Sequence, residues 1–348
     1  MPDTSVDLRR QLDMLPKVDL HRHLEGSLRV ETMLELVKSE GLDLPQEETA
    51  LRALVQVQPH APHTPANFLA KFGYVRRFFT SPEVIQRVTR EVIADAAADN
   101  VRYLELQFAP VALAEAGNFP LSEVVDWVIE AASSATLEHA LQINLIASIN
   151  RRETVGLAEE IAQIAVDHMN HGVVGLSLVG DELAYPAEPF VPVFVAARES
   201  GLGITIHAGE WAGAERVRHA LEEIGATRIG HGVRVIEDPE VVAMARDRRA
   251  VFEVCLTSNV QSGVVPSISD HPLPQMVQAG LQVTLNTDDP GISDTCLSAE
   301  YALAVEELDF SIVSLTGLIL TAVQASFMPQ REKTALESQL LAVLISPT

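Results

Sequence analysis

Eight short apolar, β-branched runs alternate with helical patterns along this chain, and that alternation predicts a closed (β/α)8 barrel of the TIM type. Two further observations support the assignment. No GxGxxG follows any of the runs, which removes the main sign of an open, doubly wound sheet. The polar residues best suited to chemistry fall where strands end, the face on which such barrels build active sites.

The expected strands are Lys17–Leu24, Val101–Phe108, Gln142–Ser148, Val173–Val179, Gly203–His207, Arg228–His231, Ala250–Cys255 and Leu281–Thr287. Between the first two lie about seventy-five residues, enough for several extra helices, one of them at Thr64–Phe79. Helical patterns then cover Ser122–His139, Arg152–His168, Phe190–Ser200, Ala214–Glu223, Pro239–Asp247 and Pro272–Ala279. Ser122 before Glu123 reads as a helix start, and Gly201 and Gly280 read as left-handed stops. After the eighth strand, Ser298–Leu308, Ile312–Ala325 and Gln330–Leu344 are expected to close the fold. No repeat, linker or low-complexity tract divides the chain, so a single barrel domain over 1–348 is expected.

Composition narrows the function. A hydrophobic fraction of 47% over 348 residues supports a large core, and a net charge of −23 argues against nucleic acid and anionic membrane surfaces as partners. Two cysteines, Cys255 and Cys296, make no disulfide framework and suit a reducing compartment. The first fifteen residues carry Asp3, Asp7 and Asp13 with no apolar core for a signal peptide, and no run reaches the roughly 20 apolar residues of a membrane span. A cytoplasmic location is expected. The oligomeric state is not legible.

His21 and His23 sit one residue apart in Val18-Asp19-Leu20-His21-Arg22-His23-Leu24-Glu25-Gly26, so on a strand both side chains face the same way. Three later runs also end in polar clusters: Ile204–Glu210 with His207 and Glu210, Arg228–Gly232 with His231, and Thr284–Pro290 with Asp288 and Asp289. Three imidazoles and a carboxylate with room for water describe a catalytic zinc site of His21, His23, His207 and Asp288, one ion per chain. Zinc lowers the pKa of bound water to about 7. Glu210 could then deliver a proton to a ring nitrogen, and His231 could hold the water or stabilise its developing charge. Asp289 can meet a second acceptor atom, and the Gly180-Asp181-Glu182 turn offers an unobstructed backbone N–H.

Taken singly, each of these residues has a plainer reading. A lone histidine is more often structural, and His60, His63, His139, His168, His171, His219 and His271 are assigned no role for that reason. Asp288-Asp289-Pro290-Gly291 alone would be an ordinary turn. Phe68, Leu69 and Phe72 share one helical face, although aromatic pairs more often pack than bind ligand. Cys255 has no second cysteine nearby and reads as core. Two chemistries are excluded: there is no CxxC for a nucleobase deaminase of the H-x-E type, and none of Lys17, Lys38, Lys71 and Lys333 lies on the fourth strand to bridge two metals.

As a set, Val18–Ser27, Val179–Glu182, His207–Glu210, Arg228–Gly232, Cys255–Asn259 and Asn286–Pro290 resemble the adenosine deaminase family, in matching order from about residue 14 to 330. The resemblance implies a zinc-dependent barrel that converts adenosine or 2′-deoxyadenosine to inosine or 2′-deoxyinosine and ammonia. It implies His21, His23, His207 and Asp288 as zinc ligands, Glu210 as proton donor to purine N1, and His231 as partner of the metal-activated water. Gly180 N–H would meet N3, Asp289 would meet N7, and the segment around Phe68, Leu69 and Phe72 would gate the pocket. Glu25 stands where many members have Asp, at a position associated with the ribose 5′-hydroxyl. Relatives acting on 5′-modified adenosines, such as 6-amino-6-deoxyfutalosine in menaquinone biosynthesis, look like this chain in HxHLEG, so that substrate is the second reading. Adenine, or a catalytically silent purine-binding role, ranks below both.

Overall fold

Most of the strands are rich in apolar or β-branched residues on both faces, as befits a sheet covered by helices outside and filled by side chains within. The computed structural model describes residues 4–344. It contains β1 (Lys17–His23), β2 (Val101–Phe108), β3 (Gln142–Asn150), β4 (Val173–Val179), β5 (Gly203–His207), β6 (Arg228–Gly230), β7 (Val251–Val254) and β8 (Gln282–Leu285). Each pairs in parallel with its successor, β1 through β8. β8 meets β1 through a parallel bridge between Arg22 and Asp288. There His23 N–H donates to Asp288 O and Asp288 N–H donates to His21 O, both at 2.8 Å. The barrel therefore comes round on itself at three of the residues expected to bind metal.

The expected helices are present, with shifted ends that have local causes. The helix expected from Ser122 starts at Leu121, because Pro120 in extended geometry supplies the cap position and no side chain caps it. The helix expected over Ala214–Glu223 is α-helical only to His219, widens into a π-turn over Ala220–Ile224, and stops at Gly225 with φ 73°. Gly201 and Gly280 do take positive φ, 105° and 79°. The long β1–β2 connection holds the helices Val30–Ser39, Glu48–Val55, Pro65–Val75 and Pro82–Ala98. In the last of these, Ser81 Oγ accepts Val84 N–H ahead of Pro82, and Val84, Ile85, Val88, Val92, Ile93 and Ala96 form the buried stripe. The helices Leu297–Leu308, Ile312–Ala325 and Gln330–Leu344 close the chain, and a helix over Thr4–Met14 precedes β1. No helix of the described residues is long and apolar enough to cross a membrane.

Inside the barrel the apolar filling is interrupted by a charged group of three. Arg228 of β6, fully buried, pairs with Glu253 of β7 at 2.5 Å and with Glu105 of β2. The guanidinium also stacks 3.8 Å from the centre of the Phe327 ring. That ring packs so closely on β4 and β5 that a Cβ at Gly203 would come within 2.3 Å of it, so glycine is needed there for the close approach.

Candidate active site

All the strand-end residues singled out in the sequence converge on the mouth of the barrel. His21 and His23 alternate along β1, His207 ends β5, and His231 and Asp288 follow β6 and β8. His231, expected as the last residue of β6, lies just past it, whereas Asp288 lies beyond its strand as expected. Both adopt left-handed backbone, φ 58° and 63°. For non-glycine residues such geometry costs about 1–3 kcal/mol and is kept only where neighbours enforce it. Here His231 N–H is held by Glu253 O at 3.0 Å and Asp288 N–H by His21 O at 2.8 Å. Gly230 beside them is needed for a different reason: a Cβ there would sit 2.7 Å from His207 Cδ2.

The ligand-type atoms are closely set. His21 Nε2 lies 3.2 Å from His23 Nε2 and 3.4 Å from Asp288 Oδ1, and His23 Nε2 is 3.3 Å from the same oxygen. His207 joins through a second, overlapping group with His21 and His231. The rings of His21 and His207 are 4.6 Å apart, and His207 Nε2 is buried with no hydrogen-bond partner. Glu210 Oε2 sits 3.8 Å from His231 Nε2. Burial, then the charges of Asp288 and Glu182, raise the Glu210 carboxyl well above the usual carboxylate range, which favours its acid form. Burial and Asp288 raise Asp289 in the same way.

A cavity of about 700 Å³ opens over these atoms, within the range of small-molecule sites. Its walls include His23, Glu25, Gly180, His207, Glu210, His231, Asp288 and Asp289, and the rim carries Phe68, Leu69 and Phe72. Gly180 has φ 99°, which presents its backbone to this space without a side chain. Glu25 also lines the cavity. The chain turns into a 3-10 helix at Glu25–Ser27, and Glu25 Oε1 accepts the Ala109 N–H at 2.6 Å. One carboxylate oxygen thus ties the β1 mouth to the β2 mouth. Burial raises the Glu25 pKa to about 7 despite that hydrogen bond.

Gly26 is required by the same corner. A Cβ on it would lie 1.7 Å from Asp289 Oδ1. Gly26→Ala is expected to displace the Asp289 carboxyl and lower kcat/KM about 10²-fold, since small misplacements of positioning groups carry costs of that order. Steady-state kinetics on a variant of unchanged melting temperature checks this, and wild-type kcat/KM would refute it.

A family model described as adenosine deaminase matches residues 16–343. The chain belongs to the adenosine deaminase family. A curated adenosine deaminase from Shewanella loihica is 36% identical, over 92% of this chain and 97% of its own. Among solved structures, the adenine deaminase from Arthrobacter aurescens has a TM-score of 0.88 at 27% identity, covering 95% of this chain and all of that one. A Burkholderia ambifaria amidohydrolase with bound zinc has a TM-score of 0.88 at 25% identity, covering 97% and 92%.

In this family member the donor set fits a metal ion. Tetrahedral zinc with bonds of about 2.0–2.1 Å places neighbouring donor atoms roughly 3.3–3.4 Å apart, and the His21–His23–Asp288 triangle has edges of 3.2–3.4 Å. Burial opposes charge on His21, yet hydrogen bonds to Asp288 and Glu253 outweigh it and hold its pKa up at about 10, while burial and the charge on His21 push His23 down to about 3.

The supporting contacts of four residues were not read from the sequence. Glu253 Oε2 takes the Nδ1–H of His21 at 2.8 Å and so turns Nε2 toward the cluster. Ser258 Oγ donates to Asp288 Oδ2 at 2.6 Å. Glu182 accepts the backbone N–H groups of Gly209, Glu210, Trp211 and Ala212 at 2.6–3.0 Å, which holds the loop carrying Glu210. His271, assigned nothing above, is buried behind His231 next to Asn259. Cys255 is buried core as expected.

Proposed function

We propose that this chain hydrolytically deaminates adenosine and 2′-deoxyadenosine, with one zinc per chain held by His21, His23, His207 and Asp288. The observation that carries the proposal is a buried Glu210 carboxyl 3.8 Å from His231, over donor atoms spaced for a metal, in a cavity of nucleoside size. When bound, zinc supplies a water acidic enough to attack at neutral pH. The remaining work falls to the chain's own groups.

Glu210 gives its proton to purine N1, which makes C6 electrophilic. His231 stabilises the negative charge that develops on the attacking oxygen. The two protons of the attacking water are passed on, one to the C6 amino group and one to restore Glu210, so the C6–nitrogen bond breaks with departure of neutral ammonia. Asp289, whose acid form is favoured by burial and by Asp288, donates to N7, and the Gly180 N–H donates to N3. Asp289 Oδ1 is buried without a partner, as a group reserved for a ligand would be. Phe68, Leu69 and Phe72 cover the base and exclude water.

A 5′-modified adenosine is the second reading, supported by Glu25. Its Oε1 is already engaged at Ala109, which fixes the carboxyl at the cavity wall where a sugar would lie. Purified protein tested on adenosine, 2′-deoxyadenosine, 5′-deoxyadenosine and adenine, with elemental analysis, separates the readings. Adenosine is expected to be turned over with about one zinc per chain, and chelation is expected to abolish activity. Two metals per chain, or full activity after exhaustive chelation, would overturn the metal assignment. Turnover of 5′-deoxyadenosine alone would move the substrate to the second reading.

A further inference from the structure

We infer that Asn259 and His271 are positioning residues that set the tautomer of His231, leaving its Nδ1 as an acceptor and placing its proton on Nε2. This rests on the part proposed above for His231. One backbone group sets the direction. Leu273 N–H donates to His271 Nδ1 at 3.0 Å. A neutral imidazole has one donor and one acceptor nitrogen, so His271 carries its proton on Nε2. Burial, helped by His231, holds the His271 pKa down at about 3, which keeps the ring neutral. That Nε2 is 3.1 Å from Asn259 Oδ1, an atom that only accepts. The other end of the same amide, Nδ2, is 3.1 Å from His231 Nδ1 and only donates.

His231 Nδ1 is therefore a lone pair. Turning the amide over would set the Asn259 Nδ2–H against the His271 Nε2–H, donor against donor. Water does not relax the constraint, because His231, Asn259 and His271 are 1%, 0% and 3% exposed. The proton on His231 Nε2 faces the reaction space, 3.8 Å from Glu210 Oε2 and 3.9 Å from Asp288 Oδ2. An N–H there stabilises an oxyanion, whereas a lone pair would abstract a proton. The relay selects the first role through residues that never touch the substrate.

The test is NMR of zinc-loaded protein carrying 15N-labelled histidine, with His231→Gln used to assign the ring. A protonated Nε2 and an unprotonated, hydrogen-bonded Nδ1 are expected. In Asn259→Asp the carboxylate accepts from both rings and draws the His231 proton to Nδ1. The signature should invert, and kcat should fall about 10²–10⁴-fold with KM nearly unchanged. Should that variant not fold, His271→Ala frees the amide to turn and should mix the tautomers and lower kcat several-fold. His271→Gln, which keeps an N–H for Asn259 Oδ1, should restore both. A wild-type ring protonated at Nδ1, or wild-type kcat with the inverted signature, would overturn the inference. Full kcat in His231→Gln would instead remove the catalytic part proposed for His231, while the tautomer is still decided by the spectrum.

Discussion

Glu210→Gln is expected to lower kcat about 10²–10⁴-fold while leaving the metal in place, the range lost with a general acid. The substitution is close to isosteric, so the geometry of the loop survives. Its backbone is fixed from behind by Glu182, which accepts Glu210 N–H at 2.8 Å and three neighbouring N–H groups. What the amide cannot do is release a proton to N1. The sign of the pH dependence follows from the raised carboxyl: activity that needs its acid form is present below its pKa and lost as pH rises through it. The alkaline limb of kcat/KM should therefore change in the variant. Kinetics paired with metal analysis check the result, and a variant keeping more than a tenth of wild-type kcat would show that another group is the acid.

The second large effect is expected on stability. Arg228→Met should destabilise the fold by about 3–5 kcal/mol, the usual cost of stranding a buried charge. Arg228 is the cation between Glu105 and Glu253, all of them fully buried. Burial pushes the Glu253 carboxyl up, but Arg228 and then His21 outweigh it and hold its pKa at about 2. Without the guanidinium, Glu253 would be driven to take up a proton, and its hydrogen bond to His21 Nδ1 would weaken. Metal affinity should fall as well, about 10–100-fold, as for other groups that orient a ligand histidine. Urea unfolding and a zinc competition assay read the two effects separately. A loss below about 1 kcal/mol would mean that the pair contributes little net stability, as buried pairs sometimes do.

Much of this molecule was written locally. The HxH spacing on β1, the apolar runs that became eight strands, and the Gly201 and Gly280 stops each depend on residues close in sequence. Period and turn chemistry act over a few residues, so they can be read without the fold. Ser81-Pro82 and the stripe from Val84 to Ala96 were equally legible signals, which the sequence reading had not resolved within the long β1–β2 connection. The order of motifs also sufficed to identify the family, because strand ends of a parallel barrel share one face.

Tertiary structure decided the supporting contacts. Glu253 reaches His21 across 232 residues of sequence, and Arg228 reaches Glu105 across 123. A glutamate inside an apolar strand such as β7 signals that something must pair with it, but not which cation, because the partner depends on barrel register and closure. The left-handed residues at His231 and Asp288 are not glycines and keep that geometry because neighbouring strands hold their N–H groups. The Glu25–Ala109 hydrogen bond and the His271–Asn259–His231 relay have the same origin. Sequence determined which residue types stand at the strand ends, through spacing and composition alone. Only the closed barrel decided which atoms meet, since those distances are set by strands far apart in the chain.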